Sequence, residues 1–507
     1  MHPLLFINAN VITMDPTRPK AGSIGITDGK IGFVSTDRIP AQSADPRTVV
    51  MDCSGKTIVP GFIDAHCHLL AYAKRLTALD VGPRHASCIA DVQTLLREAA
   101  ERIPLGTWIT GYGYNEFRLA EKRHLTRWDL DAAVSSHPVR LMHRSGHAQL
   151  LNSMGLDRLG ITIESGDPPN GMIDREVPSG EPTGLLFGMD KQIARQVSPA
   201  SGSLLEAGIQ AAGCALSAQG ITTVYDATER NDHSRLAQVQ AWKRQELFPQ
   251  RVRMGLGWDA FQELQGHPVE SSPFAYGVKL VLDGITGAMH PNQDELNKMV
   301  LQIHRAGAPV VIHAIEQRHI AAACAAIERA RKEYPSIRPR HRIEHCSICP
   351  PELASRIADA EITVVTQPAF LYQDGDRYLE TVSKDELPYL YPVATLFRSG
   401  VCTAGSSDCP IALPNPLLGI YAAVTRRSET HHMVLAQERL SPYNALQMFT
   451  INAARAMGVE EELGSIQVGK AANLVVLNGD PTAVPAEALP EIQVQATMID
   501  GEIVWTA

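Results

Sequence analysis

The chain has 507 residues, 44% of them apolar, enough for a large buried core and more than one average domain. Its 46 Lys and Arg face 55 Asp and Glu, a net charge of −9 without a basic block, which argues against nucleic acid or an anionic membrane as partner. No stretch makes an uninterrupted membrane span, the start lacks a basic segment followed by an apolar one, and nine scattered Cys give a single CxxC, Cys346 to Cys349; a cytoplasmic protein with reduced thiols and a small-molecule substrate is expected.

Residues 1–60 read as short strands and turns. A strand-like run at 4–13 ends in Asp15-Pro16, and runs at 22–26 and 30–34 flank Asp28-Gly29, a hairpin signal. Another strand falls at 48–52. From residue 57 strands alternate with helical stretches. The eight strand-like runs are 57–65, 139–143, 221–226, 276–282, 308–314, 342–345, 362–367 and 401–404, with helices such as 320–332 and 351–360 between them. This order predicts an α/β chain with a (β/α)8, TIM-like barrel. A doubly wound open sheet is the runner-up, but no GxGxxG follows a strand. The intervals from Lys279 to His313 and from His313 to His345 each match about one βα unit, and that from His345 to Asp408 about two. His68 to Lys279 is far longer, so a large insertion is expected after the first strand, at about 70–220. The end of the chain returns to short strands, at 472–477 and in a hairpin around Asp500-Gly501. The expected division is a small β-sandwich domain from both chain ends (1–60 and 458–507) and a metal-dependent barrel over 61–457.

The first strand ends in His66-Cys67-His68. Side chains two apart on a strand share a face, so both rings can grip one ion. In a barrel the C-terminal strand ends converge on one mouth, which would gather His66, His68, Lys279, His313, His345 and Asp408. Imidazole and carboxylate suit Zn²⁺ and related divalent ions. A single His at a strand end is as a rule a satisfied polar residue; the joint occurrence is what points to metal. Lys279 has two readings. Desolvated beside cations, its amine loses its proton and can add CO₂ as a carbamate, an oxygen ligand able to bridge two ions. Otherwise it pairs with Asp283 or with a substrate carboxylate.

Several segments carry a resemblance: Pro-Gly-Phe-Ile-Asp-Ala-His-Cys-His (60–68), Gly-His-Ala-Gln-Leu-Leu-Asn-Ser (146–153), Val-Lys-Leu-Val-Leu-Asp-Gly (278–284), Ile-His-Ala (312–314), Arg-Ile-Glu-His (342–345), Ala-Gly-Ser-Ser-Asp-Cys-Pro (404–410), Thr-Ile-Asn-Ala-Ala-Arg-Ala-Met-Gly (450–458) and the run at 464–477. With these the chain resembles the amidohydrolase superfamily and, within it, amidohydrolase family 3, the YtcJ-like branch. The resemblance implies two divalent metal ions, Zn²⁺ in first place. His66 and His68 would hold the more buried ion, His313 and His345 the more exposed one, with carboxylated Lys279 between them and Asp408 beside the buried ion. It implies a hydrolase of a C–N bond, foremost an amide such as an N-acyl or N-formyl amine. A hydroxide shared by the ions would attack, and Asp408 would act as general base and then acid. A deaminase, a carbamate or ester hydrolase, and a non-catalytic scaffold are the alternatives. The branch's His-Ala-Ile-Gly-Asp is here His313-Ala-Ile-Glu316-Gln317, and the loop at 284–295 is shorter, so substrate choice stays open. His143 or His147 is expected to hydrogen-bond the substrate carbonyl, or else to serve its own loop. Phe370, Tyr372 and Tyr378, with Tyr112 and Tyr114 in the insertion, offer an apolar wall or plain loop packing. Arg144 or Arg377 would suit a substrate carboxylate. Homo-oligomerisation is left open.

Overall fold

The computed structural model describes residues 3–37, 47–146, 148–168, 171–189, 193, 197, 202–264, 274–284 and 288–507. The chain forms two compact units, one of Met1–Leu69 with Ala212–Ala507, the other of Leu70–Ala211. No helix of the described residues is long and apolar enough to cross a membrane.

The first unit begins and ends in two small sheets. One runs in the order Lys30–Ser35, Ser23–Thr27, Leu4–Ile7, Val49–Asp52. The other runs Glu502–Thr506, Val494–Ile499, Leu474–Leu477, Thr57–Pro60, Asn10–Ile12, Lys20–Ala21. The two ends of the chain meet where Leu474–Leu477 pairs antiparallel with Thr57–Pro60. Phe6, Val11, Ile24, Ile31, Ile58, Leu474 and Met498 fill the space enclosed. The hairpin at Asp28-Gly29 forms as its sequence demands: both residues have positive φ, 48° and 75°, as a two-residue turn of the I′ kind requires. The expected strand at 4–13 is two strands, broken at Asn8, whose φ is 54°.

The rest of this unit is an eight-stranded parallel barrel. Its strands in chain order are β1 (Phe62–Cys67), β2 (Ile221–Asp226), β3 (Arg251–Gly257), β4 (Ala275–Val281), β5 (Val310–Ala314), β6 (Arg342–His345), β7 (Thr363–Thr366) and β8 (Thr403–Gly405), each paired with the next. Just beyond the strands, Asp408 N–H donates to His66 O at 2.8 Å and His68 N–H to Cys409 O at 2.7 Å, so the ring closes between its last and first members. Helices cover the outside. The helix Gln317–Glu333, for example, buries Ile320, Ala323, Ile327 and Ala330 at helical spacing.

Two strand expectations are corrected. The run at 139–143 is a strand of the second unit, not of the barrel, and β2 and β3 are 221–226 and 251–257. Apolar alternation marks a strand without saying to which sheet it belongs. β3 gives a weak signal because it carries two arginines and ends in glycines, which have low β-propensity. Gly257 is required there: a Cβ would stand 2.1 Å from Glu229 O. The run at 57–65 is two strands in different sheets, turning at Gly61, where a Cβ would meet Thr222 Oγ1 at 2.4 Å.

The second unit holds a six-stranded sheet in the order Met172–Arg175, Pro182–Phe187, Ala148–Leu151, Val139–His143, Ile109–Tyr114, Leu79–Asp80. The helix Ile89–Ala100 contributes Val92 and Leu96 to a core with Ile109, Leu141 and Leu150.

Candidate metal centre

In-register pairing lines up the C-terminal ends of the barrel strands. Val281 stands opposite His313, and Ala314 opposite His345. The histidines therefore reach one level, and the loop after β8 brings Asp408 to meet the end of β1. Asp408 Oδ1 lies 3.1 Å from His68 Nε2 and 3.5 Å from His66 Nε2. These three residues form a candidate metal site, with ligand-capable atoms all within 4.8 Å of one another. The His345 ring centre is 5.0 Å from that of His66 and 4.4 Å from that of His313. Lys279 is 3% exposed, and its Nζ has no hydrogen-bond partner among the described residues, so the alternative pairing with Asp283 is not made. In the barrel ladder it stands between Gly257 of β3 and Val311 of β5, two residues below the level of His313.

Three of the rings, those of His66, His68 and His345, are fixed through Nδ1. His66 Nδ1 bonds Glu344 Oε2, His68 Nδ1 lies 2.9 Å from Thr228 Oγ1, and His345 Nδ1 2.8 Å from Gln367 Oε1. Burial drives the His66 pKa down to about 3, with the Lys279 charge adding to it. The ring is therefore neutral and carries one proton. Burial works against ionising Glu344, but Arg342 and His66 outweigh it and hold the carboxyl well below its usual range. An ionised Glu344 can only accept, so the ring's proton sits on Nδ1 and is donated to it, which leaves Nε2 a bare acceptor. That nitrogen faces Asp408 Oδ1, a buried oxygen without a hydrogen-bond partner among the described residues, with His68 Nε2 3.1 Å away. Asp408 is likewise held well below the usual carboxylate range, against its burial, by His66 and His68. Two buried acceptors confronting each other are costly unless a cation stands with them. Two imidazole nitrogens and a carboxylate oxygen are the donors Zn²⁺ and its relatives take, so the residues present fit a divalent ion.

The backbone is strained at the same place. His345 has φ 70° and Asp408 φ 55°, left-handed values that cost a non-glycine residue on the order of 1 kcal/mol and collect at functional sites. Burial pushes the Asp64 carboxyl up to about 6, with Ser407 opposing it. Asp64 accepts from Ser407 N–H at 3.0 Å and from Ser407 Oγ–H, and Ser407 Oγ accepts from Cys409 N–H at 2.9 Å. Asp64 thus fastens the turn that carries Asp408.

Glu344, Arg342, Thr228, Gln367 and Asp64 received no role from the sequence. One signal was available: Arg342 and Glu344 are charges two apart in a strand whose four residues are all buried, and such charges must be paired.

The residues expected to touch substrate fall in several places. His143 and Tyr114 belong to the second unit. There His143 Nε2 is 2.8 Å from Glu116 Oε2, and the Tyr114 ring centre is 5.1 Å from that of His143. Tyr112 lies beneath the Arg75 guanidinium in that unit. His147 lies outside the described residues, as does part of the loop at 284–295. Phe370 is 8% exposed in an apolar cluster with Ile348, Leu371, Leu390 and Val434. Tyr378 also packs there, its ring 5.9 Å from that of Tyr391 and under Arg377. Tyr372 is half-buried, its ring 5.9 Å from that of Tyr421.

A parallel eight-stranded barrel with imidazoles, a lysine and a carboxylate buried at its strand ends is the framework of a barrel hydrolase. The model of the amidohydrolase family matches residues 49–505, and the chain belongs to that family; it is a hydrolytic enzyme acting on carbon–nitrogen bonds. It is 28% identical to the amidohydrolase YtcJ of Bacillus subtilis (strain 168), over 98% of each chain. It is also 28% identical to the N-substituted formamide deformylase of Arthrobacter pascens, over 99% of this chain and 98% of that one. Its fold matches the crystal structure of an uncharacterized metal-dependent hydrolase from Pyrococcus horikoshii OT3 with a TM-score of 0.75 at 22% identity, covering 96% of this chain and 99% of the other.

Proposed function

We propose that this enzyme hydrolyses a non-peptide amide, an N-acyl or N-formyl amine, with two divalent metal ions, Zn²⁺ in first place, and with Asp408 as the proton carrier. The observation that carries the reading is the cluster of His66, His68 and Asp408, whose ligand-capable atoms lie within 4.8 Å of one another, with the buried Asp408 Oδ1 lacking a hydrogen-bond partner among the described residues. His66, His68 and Asp408 would hold one ion, His313 and His345 the other, and a carbamate on Lys279 would supply the oxygens between them. Bound there, the ions supply Lewis acidity and bring the pKa of a water towards neutrality.

The residues themselves do the rest. Asp408 is ionised and can take a proton from the attacking water. The leaving nitrogen needs a proton to depart as an amine, and Asp408, now carrying one, can return it. The Asp64–Ser407 bonds hold the turn in the pose this transfer needs. Burial disfavours the Lys279 ammonium, which favours the neutral amine that CO₂ requires. Tyr372, half-buried after β7, is assigned to an apolar or aromatic substituent. The similarity to a formamide deformylase over the full length of both chains supports an N-formyl or N-acyl amine over other C–N bonds.

The test is a panel of N-formyl and N-acyl amines with aryl or bulky alkyl substituents, read by mass spectrometry and by ammonia release. The expected products are one amine and one carboxylic acid per water consumed. Turnover confined to amino-heterocycles, with ammonia as product, would overturn the amide reading.

A further inference from the structure

The orienting partners of the three rings differ in kind. His66 Nδ1–H donates to a carboxylate, Glu344; His68 Nδ1 meets a hydroxyl, Thr228; His345 Nδ1 meets an amide oxygen, Gln367. A carboxylate acceptor draws an imidazole towards imidazolate and makes its other nitrogen a stronger donor, more than a neutral acceptor does. Glu344 is fully buried, so no water competes for it. It is also fixed from behind. Arg342 donates to it through Nε at 2.5 Å and Nη2 at 2.9 Å. The same guanidinium holds Ala65 O at 2.6 Å and Ala456 O at 3.1 Å. It lies over the Tyr225 ring at 4.2 Å, and the Tyr225 hydroxyl donates to Tyr276 O at 2.7 Å. The carboxylate therefore cannot turn away from His66.

We propose that Glu344 is a positioning residue that makes the centre unequal: it holds His66 as the Nδ1–H tautomer and so makes the half built on His66, His68 and Asp408 the tighter of the two. The inference rests on the two-ion reading above. The rival explanation is that the Arg342–Glu344 pair only fastens β6 to β1, in which case its loss would loosen both halves alike.

The experiment titrates the metal-free, full-length enzyme with Co²⁺, following visible absorption and competition with a chelator. The wild type should show a tight and a weak class of site. Glu344→Gln should weaken the tight class about 10- to 100-fold, the range for an outer partner of a ligating histidine, and change its Co²⁺ spectrum, while the weak class stays where it was. Glu344→Asp keeps the charge that Arg342 needs but draws the carboxylate back from Nδ1. It should act in the same direction and serves as the readout if the glutamine variant does not fold. Equal weakening of both classes, no change in either, or two equal sites in the wild type overturns the proposal. A wild-type enzyme that takes up no Co²⁺ overturns the metal reading itself, which is a different result from any of these.

Discussion

β6 has a buried histidine at each of its ends, His341 just before its start and His345 at its close, and the two ends differ. Where the strand begins, His341 Nδ1 accepts the Val310 N–H at 3.0 Å. Its proton therefore sits on Nε2 and points at His304 Nδ1, 2.8 Å away, and His304 Nε2–H goes to Tyr334 O at 3.1 Å. All four nitrogens are accounted for by the chain. Where the strand ends, His345 has a partner for Nδ1, and across the mouth His66 has one for Nδ1 while its Nε2 faces another acceptor. Burial is equally deep in both places, since His304, His341, His66 and His345 are all below 5% exposed. A ring whose nitrogens all find partners within the chain belongs to the scaffold. A ring held by one nitrogen, with the other turned on an acceptor, is waiting for something the chain does not supply. The same contrast separates the closed end of a barrel from its mouth.

The largest effect should come from the acceptor at the mouth. Asp408→Asn keeps the shape and one oxygen but cannot carry a proton. Hydrolysis should fall by about 10²-fold or more, the scale of general acid–base catalysis, while much of the bound metal stays. Metal content and turnover are to be measured on one preparation. Near-normal turnover with a full metal complement would remove Asp408 from the reaction and blur the contrast between the two ends.

The six residues the sequence assigns to the mouth stand out because each is a distinctive side chain near the end of an apolar run, and the barrel rule carries such ends to one mouth; among them His66, His68 and Asp408 form the candidate metal group. The partners that orient them were not. Glu344 meets His66 only because β6 and β1 face each other across the barrel, and no local pattern encodes a direction across it. Thr228 and Gln367 are ordinary polar residues until a ring is pointed at them. The barrel itself was legible as a count of eight, yet its second and third members were misassigned. Residues 139–143 alternate as well as any barrel strand but pair with Ile109–Tyr114 in the insertion, while β3, with two arginines and two glycines, reads weakly on its own.

The closed end should respond to acid. Burial holds the His341 pKa well below its usual value, helped by the charges of His304 and Arg331, and the His304 pKa is lowered too. In the unfolded chain both titrate near 6.5. Below that pH the unfolded state binds protons that the folded state refuses, so stability is fully present above about pH 6.5 and is lost as pH falls towards the folded values. Each refused proton is worth up to about 1.4 kcal/mol per pH unit. At the mouth His66, His313 and His345 add the same sign and His68, whose pKa Asp408 raises against its burial, the opposite one, so the comparison is with a variant. His341→Gln can still accept from Val310 and donate to His304 but does not titrate. Urea unfolding between pH 7 and 5 should show a slope shallower by about one proton in the variant. Parallel slopes would mean that His341 is already protonated in the fold, and the closed end would not be the satisfied pair described here.

The smallest effect belongs to a charge pair that is neither buried nor part of the mouth. Arg251, at the start of β3, reaches across to the strands from the chain's end, donating to Asp500 at 2.7 Å and to Glu462 at 3.0 Å. It resembles the Arg342–Glu344 pair on paper, but Asp500 is 48% exposed where Glu344 is 0%. Water already solvates both charges, so Asp500→Asn should cost no more than about 1 kcal/mol, and less in high salt. Asn is suited to the test because Asp500 sits in a turn with φ 50°, a conformation Asn tolerates, so the substitution removes the charge and leaves the backbone unstrained. The check is the thermal midpoint of the two proteins at low and high salt. A loss that persists undiminished in high salt would show that Asp500 acts through packing or the turn, and that exposure alone does not separate the Arg251–Asp500 pair from the Arg342–Glu344 pair.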